Sequence, residues 1–234
     1  MGIKPYYDRL LGRIRDDYGV ATPVPGYDLP FFQTFDIAGQ PNPIEVGDSI
    51  LANRTFNWST GYPANITPNS IAIDDITGAT NIATGLANTP PYVSVYPAIT
   101  NLVAATNLFR ISGQNTLAGL FFRMYTVSWQ WMVYYGEDVN AGPLLEAQIE
   151  ALRVPVLKAG FAGVYVFLAG GYKYLCYPAT LGTATSFVDQ ATGFPVAMLP
   201  VYTVSVTNAF GVITNYNVHR TWNPLGGALN IVVN

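Results

Sequence analysis

Charge is what this chain has least of. Only 11% of its 234 residues are Asp, Glu, Lys or Arg, against about 25% in a typical soluble domain. After Arg153 the charged residues are Lys158, Lys173, Asp189 and Arg220 alone. A free monomer normally stays soluble through mixed surface charge, so such a poor supply predicts surface covered by neighbours. The net charge of −3 comes with scattered Lys and Arg and no basic run, which excludes a nucleic-acid footprint. The weak net charge and the 14% aromatic content also exclude a disordered chain.

Cysteine and histidine are each present once. Cys176 alone allows no intrachain disulfide and no cysteine cluster for a metal. Set in Tyr-Lys-Tyr-Leu-Cys-Tyr with no cationic partner beyond Lys173, it reads as a small buried thiol, not a nucleophile. His219 follows a strand pattern beside Arg220 and reads as a structural histidine; a His-dependent triad would lack acids, since Asp189 is the only carboxylate after Glu150. Long apolar runs are missing too. The stretch 159–177 is broken by Gly160, Gly163, Gly170, Gly171 and Lys173, so no membrane span is expected. The charged residues between Lys4 and Asp17 argue against a secretory signal, and without one the Asn53-Arg-Thr, Asn57-Trp-Ser and Asn65-Ile-Thr sequons read as chance matches.

What is present is mostly strand and turn. Residues 3–18 are the exception: Ile3, Tyr7, Leu10, Leu11 and Ile14 recur at three- and four-residue steps, which predicts an amphipathic helix ended by Gly19. Residues 19–43 combine prolines with Phe31, Phe32 and Phe35, the composition of an extended arm lying on another surface. From 45 to 133, β-branched and aromatic residues alternate between turn residues. Phe56 and Trp58 share one parity, as do Ile71 and Ile73. Trp129 and Trp131 have apolar neighbours on both parities, predicting a strand covered on both faces. Pro143 opens a short helix with Leu144, Leu145, Ile149 and Leu152 on one side. Two alternating strands joined by Asn208-Ala-Phe-Gly predict a hairpin between 201 and 220, and a last strand spans 228–233.

Other chemistry is thin. Asp74-Asp75 lacks the alternate-position oxygens of a calcium loop and reads as a turn with solvated acids; Glu137-Asp138 after Gly136 reads as a loop. The glycines at 160–163 and 170–171 precede no Lys-Ser/Thr pair, so no phosphate loop is expected. No catalytic residue, cofactor or metal is expected, and the chain is read as a non-enzyme.

The runs Glu45-Val-Gly-Asp-Ser-Ile, Phe56-Asn-Trp-Ser-Thr and Ala64-Asn-Ile-Thr-Pro-Asn-Ser-Ile-Ala-Ile resemble the opening of Ig-like modules in tailed-bacteriophage virion structural proteins, and Val133-Tyr-Tyr-Gly resembles their closing strand. Gly171-Tyr-Lys-Tyr-Leu-Cys-Tyr, Val206-Thr-Asn-Ala-Phe-Gly-Val and Tyr216-Asn-Val-His-Arg look like a companion domain. The resemblance implies a virion part assembled in the host cytoplasm, placed in a tail, baseplate or fibre, with neck or capsid decoration as alternatives. The expectation is an all-β protein: helix and docking arm over 1–42, an Ig-like β-sandwich over 43–140, and a short helix with a second small β-sandwich over 141–234. Docking on other virion proteins falls to Tyr6, Tyr7, Leu10, Leu11, Ile14, Phe31 and Phe32, with a homo-oligomer, a trimer or larger, as the assembled form. The alternative is a receptor- or carbohydrate-binding module that meets a host-surface glycan through exposed aromatics such as Tyr96 and Trp222.

Overall fold

A computed structural model describes residues 28–152 and 154–234, and the backbone of three short strands before them. The fold is all-β, with one short helix, Glu146–Glu150, and two single 3-10 turns among the described residues. No helix among them is long and apolar enough to cross a membrane.

The helix expected over 3–18 is corrected. Tyr6–Asp8, Arg13–Arg15 and Ala21–Pro23 are strands, paired antiparallel with Tyr6 opposite Arg15 and Arg13 opposite Pro23. Helical spacing over so few residues does not make a helix unless a partner face covers it. Leu10 and Leu11 lie outside the described residues, and for Tyr6, Tyr7 and Ile14 only the backbone is described.

The chain forms two compact units, and neither is one continuous stretch. The first comprises Met1–Asn42, Ile50–Ile99 and Thr106–Val127; the second comprises Pro43–Ser49, Thr100–Ala105 and Ser128–Asn234. The contiguous bodies expected over 43–140 and 141–234 are therefore corrected: strand pairing joins residues distant in sequence, and the chain crosses between units several times.

In the first unit, Thr55–Gly61 lies between Phe31–Ile37 and Tyr92–Val93, and Ile71–Asp75 lies between Thr80–Leu86 and Ala105–Gln114. Aromatic packing builds the sandwich core. Phe35 stacks on Phe56 within one sheet at 5.9 Å between centroids, and Phe56 meets Phe109 of the other sheet edge-on at 5.8 Å. Ile71, Ile73 and Ile111 complete the core. Each such side chain contributes about 1.5–3 kcal/mol by leaving water.

The strand Phe31–Ile37 corrects the extended docking arm expected over 19–43, because this part of it pairs within its own unit. No proline interrupts the strand, and its pairing with Thr55–Gly61 slips between Phe32 and Thr34. That bulge resets the alternation, so Phe32, Phe35 and Ile37 all turn inward.

In the second unit, one sheet runs Tyr202–Thr207, Ile213–Arg220, Tyr172–Pro178 and then the latter half of the long strand Leu120–Asp138. Val154–Lys158 and Ile44–Glu45 also pair with that long strand. A second sheet places Leu229–Val233 between Gly163–Phe167 and Phe187–Asp189. Between the sheets sit Val133, Leu175 and Tyr177 against Tyr165, Phe167 and Ile231. The opposite face of the first sheet, with Tyr134, Tyr174, Cys176 and Val218, is covered by Leu144, Ile149 and Leu152 around the short helix. Leu145, expected on that covered side, is exposed instead. Covered on both faces, Tyr172–Pro178 is buried at every position after Tyr172. Trp129 and Trp131 are buried as the sequence indicates.

The expected hairpin forms, with Thr207 opposite Ile213. The Asn208 side-chain oxygen accepts the Phe210 and Val212 amides at 3.1 and 2.9 Å, and Gly211 takes the left-handed φ of 78° that closes the turn.

Candidate functional site

The second unit carries a cleft built by the segment that follows Phe187–Asp189. Asp189 ends that strand and nucleates a tight turn: its carboxylate accepts the Ala191 amide at 3.0 Å and the Thr192 hydroxyl at 2.7 Å. Gly193, at φ 73°, donates its amide to the Asp189 carbonyl at 2.8 Å. The turn lifts Phe194 into solvent, with 71% of its surface exposed.

Pro195–Leu199 then crosses from one sheet to the other. On one side the Val196 amide donates to the Phe187 carbonyl at 2.8 Å. On the other, the Leu199 amide donates to Arg220 and the Trp222 amide to Ala197, at 2.8 and 2.9 Å. This second tether fixes the chain just past Ile213–Arg220 and leaves Trp222 59% exposed.

The resulting cleft holds about 290 Å³ and is lined by Asp189, Thr192, Phe194, Trp222, Asn223 and Leu225, among others. That is near the lower end of small-ligand sites. Among its described lining residues Asp189 is the only carboxylate, and none carries a positive charge. The hydrogen bond from Thr192, followed by the Ala191 amide, holds the Asp189 carboxyl below its ordinary range, so it stays ionised.

A second depression, of about 550 Å³, shares Pro195 and Val196 with the first. Thr183, Thr185 and Ser186 line it, with His219 among its walls. His219 is itself buried, and burial lowers its imidazole to about 4. It is thus uncharged at neutral pH, as a structural histidine should be.

The other residues weighed in the sequence fall elsewhere. Of the docking set, Phe31 is 47% exposed, and Phe32 is buried with its ring 4.9 Å from that of Phe121. Phe32 is therefore core, a correction that follows from the bulge. Tyr96 is not a free aromatic platform: the Arg54 guanidinium lies 5.1 Å over its ring, and its hydroxyl reaches Asp75. Asp75 is a buried acid, not a solvated one, accepting from Asn107 at 2.9 Å and the Gly78 amide at 2.8 Å. Asp74 is bridged by Arg110 at 2.7 Å. Glu137 and Asp138 end a strand instead of forming a loop; Glu137 accepts the Leu168 and Ala169 amides, and Asp138 the Asn140 amide. Cys176 is fully buried, which raises its thiol well above the ordinary range. Among the described residues no three His, Cys, Asp or Glu side chains group as metal ligands.

Trp222 was legible as an exposed aromatic. Phe194, Thr192 and Asn223 were not, because their partners are fixed by the crossing of Pro195–Leu199 and not by local pattern.

No protein-family model matches this chain, and no curated protein does. A solved structure described as "Structural basis for the promiscuous specificity of the carbohydrate-binding modules from the beta-sandwich super family" aligns with 89% of this chain and 97% of its own. Its TM-score is 0.35 and its identity 11%. So loose a superposition supports neither fold nor site, which rest on the residues above.

Proposed function

We propose that this chain is a non-catalytic carbohydrate-binding protein that grips a sugar ring with Trp222 and Phe194 in the cleft beside Asp189. The carrying observation is that these two large aromatics stand in solvent at one polar-edged cleft. Clustered exposed apolar surface marks interaction sites, and an aromatic ring meets the C–H face of a pyranose while polar neighbours take its hydroxyls. Asp189 suits orientation better than acid catalysis, because its oxygens are engaged in a turn and it stays ionised.

The test is binding of cellulose, xylan, chitin and mannan, measured by calorimetry and by retention on the insoluble polymers. Trp222→Ala should lose most of the affinity and keep the wild-type melting temperature. Unchanged binding in that variant, or no binding to any polymer, would overturn the reading. Release of reducing ends would overturn its non-catalytic part.

A second reading, an assembly part that self-associates, is favoured by one row on the long strand. Leu120, Phe122 and Met124 stand exposed on a single parity in a charge-poor chain. Native mass spectrometry should then give an oligomer that Phe122→Glu dissociates. The placement in a virion rests on the motif resemblance alone.

A further inference from the structure

The two depressions are not independent pockets. Both are lined by Pro195 and Val196, so they adjoin at that pair. Their chemistry differs along the line. The Trp222 end offers aromatic faces, whereas the far end offers the hydroxyls of Thr183, Thr185 and Ser186 and the apolar sides of Phe187 and Val201. A single sugar ring would occupy one end and leave the other wet.

Charge narrows the ligand further. Among the described residues lining either depression, Asp189 is ionised, His219 is neutral at pH 7 and no Lys or Arg is present. A uronate, a sialic acid or a sulfated sugar would bring an anion toward Asp189 and find no cation to pair with it. Such juxtaposition of like charges is how a site rejects a ligand.

We infer that the paired depressions form one elongated groove for the interior of an uncharged oligosaccharide chain, stacked at the Trp222–Phe194 end and hydrogen-bonded at the Thr183–Ser186 end. This rests on the glycan-binding reading and deepens it by naming the ligand as neutral and several rings long. Pro195 and Val196 line both depressions, and the Val196 and Leu199 amides pin the Pro195–Leu199 crossing to the two sheets.

The experiment titrates the full chain with neutral cello-, xylo-, manno- and chito-oligosaccharides from disaccharide to hexasaccharide. Within the series that binds, affinity should tighten on the order of tenfold between the shortest and longest chains and then level off. Thr185→Trp, which fills an exposed position of the second depression, should abolish the gain with length, so that the hexasaccharide binds no tighter than the disaccharide. An oligogalacturonate of matching length should bind at least several-fold more weakly than the neutral chain, and Asp189→Asn should narrow that gap. Trp222→Ala should weaken binding at every length.

The outcomes separate the two claims. If Trp222→Ala binds like wild type, glycan binding at this cleft is wrong and the groove falls with it. If Trp222→Ala loses binding but affinity is flat with length, or Thr185→Trp keeps the gain, the groove is wrong while the cleft stands. Equal affinity for the galacturonate would overturn the charge selection alone.

Discussion

Tyr177 and His219 lie face to face in the second unit, their ring planes 16° apart and 5.5 Å between centroids, with the Tyr177 hydroxyl 2.9 Å from His219 Nε2. That hydroxyl accepts the Ala184 amide at 2.7 Å, which leaves its own proton for an unprotonated Nε2. Phe187 closes on the imidazole from 4.9 Å. The surroundings are arranged for a neutral ring, and burial holds the imidazole at about 4.

Stability should therefore depend on pH in a defined window. Unfolding restores the imidazole to about 6.5, so between that value and about 4 the unfolded chain binds a proton that the folded chain refuses. The folded state loses stability as pH falls through this range, to a limit of about 3 kcal/mol, and the contribution is flat above pH 6.5. Glu45, whose carboxyl is raised by burial, acts with the opposite sign at the acid end. Urea denaturation of wild type and His219→Gln at matched pH isolates the histidine. Parallel curves for the two proteins between pH 5 and 6.5 would show that His219 is not the titrating group.

Asp75 gives a second, independent expectation in the first unit. It is 2% exposed and satisfies the Gly78 amide and the Asn107 side chain, and its charge favours the buried Arg54 guanidinium. Asp75→Ala strands those donors and should cost about 2–4 kcal/mol, with Asp75→Asn intermediate. Added calcium should leave the melting temperature unmoved, since these oxygens serve the turn. A calcium-dependent rise, or an alanine variant as stable as wild type, would contradict this account.

The sequence made some of this legible and hid the rest for identifiable reasons. The 201–220 hairpin could be read because strict alternation meets a turn whose Asn208 and Gly211 have specific backbone work to do. Trp129 and Trp131 read as core because apolar residues on both parities require cover on both faces. Phe31–Ile37 misled because one bulge breaks the period of two, so Phe32 and Phe35, three apart, share the interior. At the amino terminus, helical spacing over a few residues was outweighed by strand pairing. The cleft shows the limit most clearly. Trp222 stood out as a large aromatic beyond a strand, but Phe194 lay inside Thr-Gly-Phe-Pro, and only the tethers of Pro195–Leu199 bring the two to one site.

The bulge itself can be tested through adjacent phenylalanines. Phe32→Ala empties a buried site against Phe121 and should cost about 3–5 kcal/mol. Phe31→Ala removes a half-exposed ring whose aromatic neighbour is Tyr62, 6.2 Å away, and should cost less than about 1 kcal/mol. Thermal and urea unfolding of both variants decide the matter. A reversed order would mean that the strand pairs one residue out of the register in which Phe32 faces inward.

Cys176 offers the sharpest test of the double-sided cover on the first sheet of the second unit. Its strand is flanked by Tyr134 and Val218 in register, and the short helix region packs over the same face. With no exposed surface and a thiol raised by burial, it should resist thiol reagents in the native protein and react only on unfolding. Cys176→Ala removes one atom from a packed site and should cost about 1 kcal/mol. Cys176→Ser keeps the volume but buries a hydroxyl among Leu144, Ile149 and aromatic rings, which adds a desolvation cost of about 1–3 kcal/mol. Serine should therefore be the more damaging of the two, although it is the closer match in shape. Rapid labelling of the folded chain, or a serine variant more stable than the alanine one, would mean that this face of the sheet is open to water.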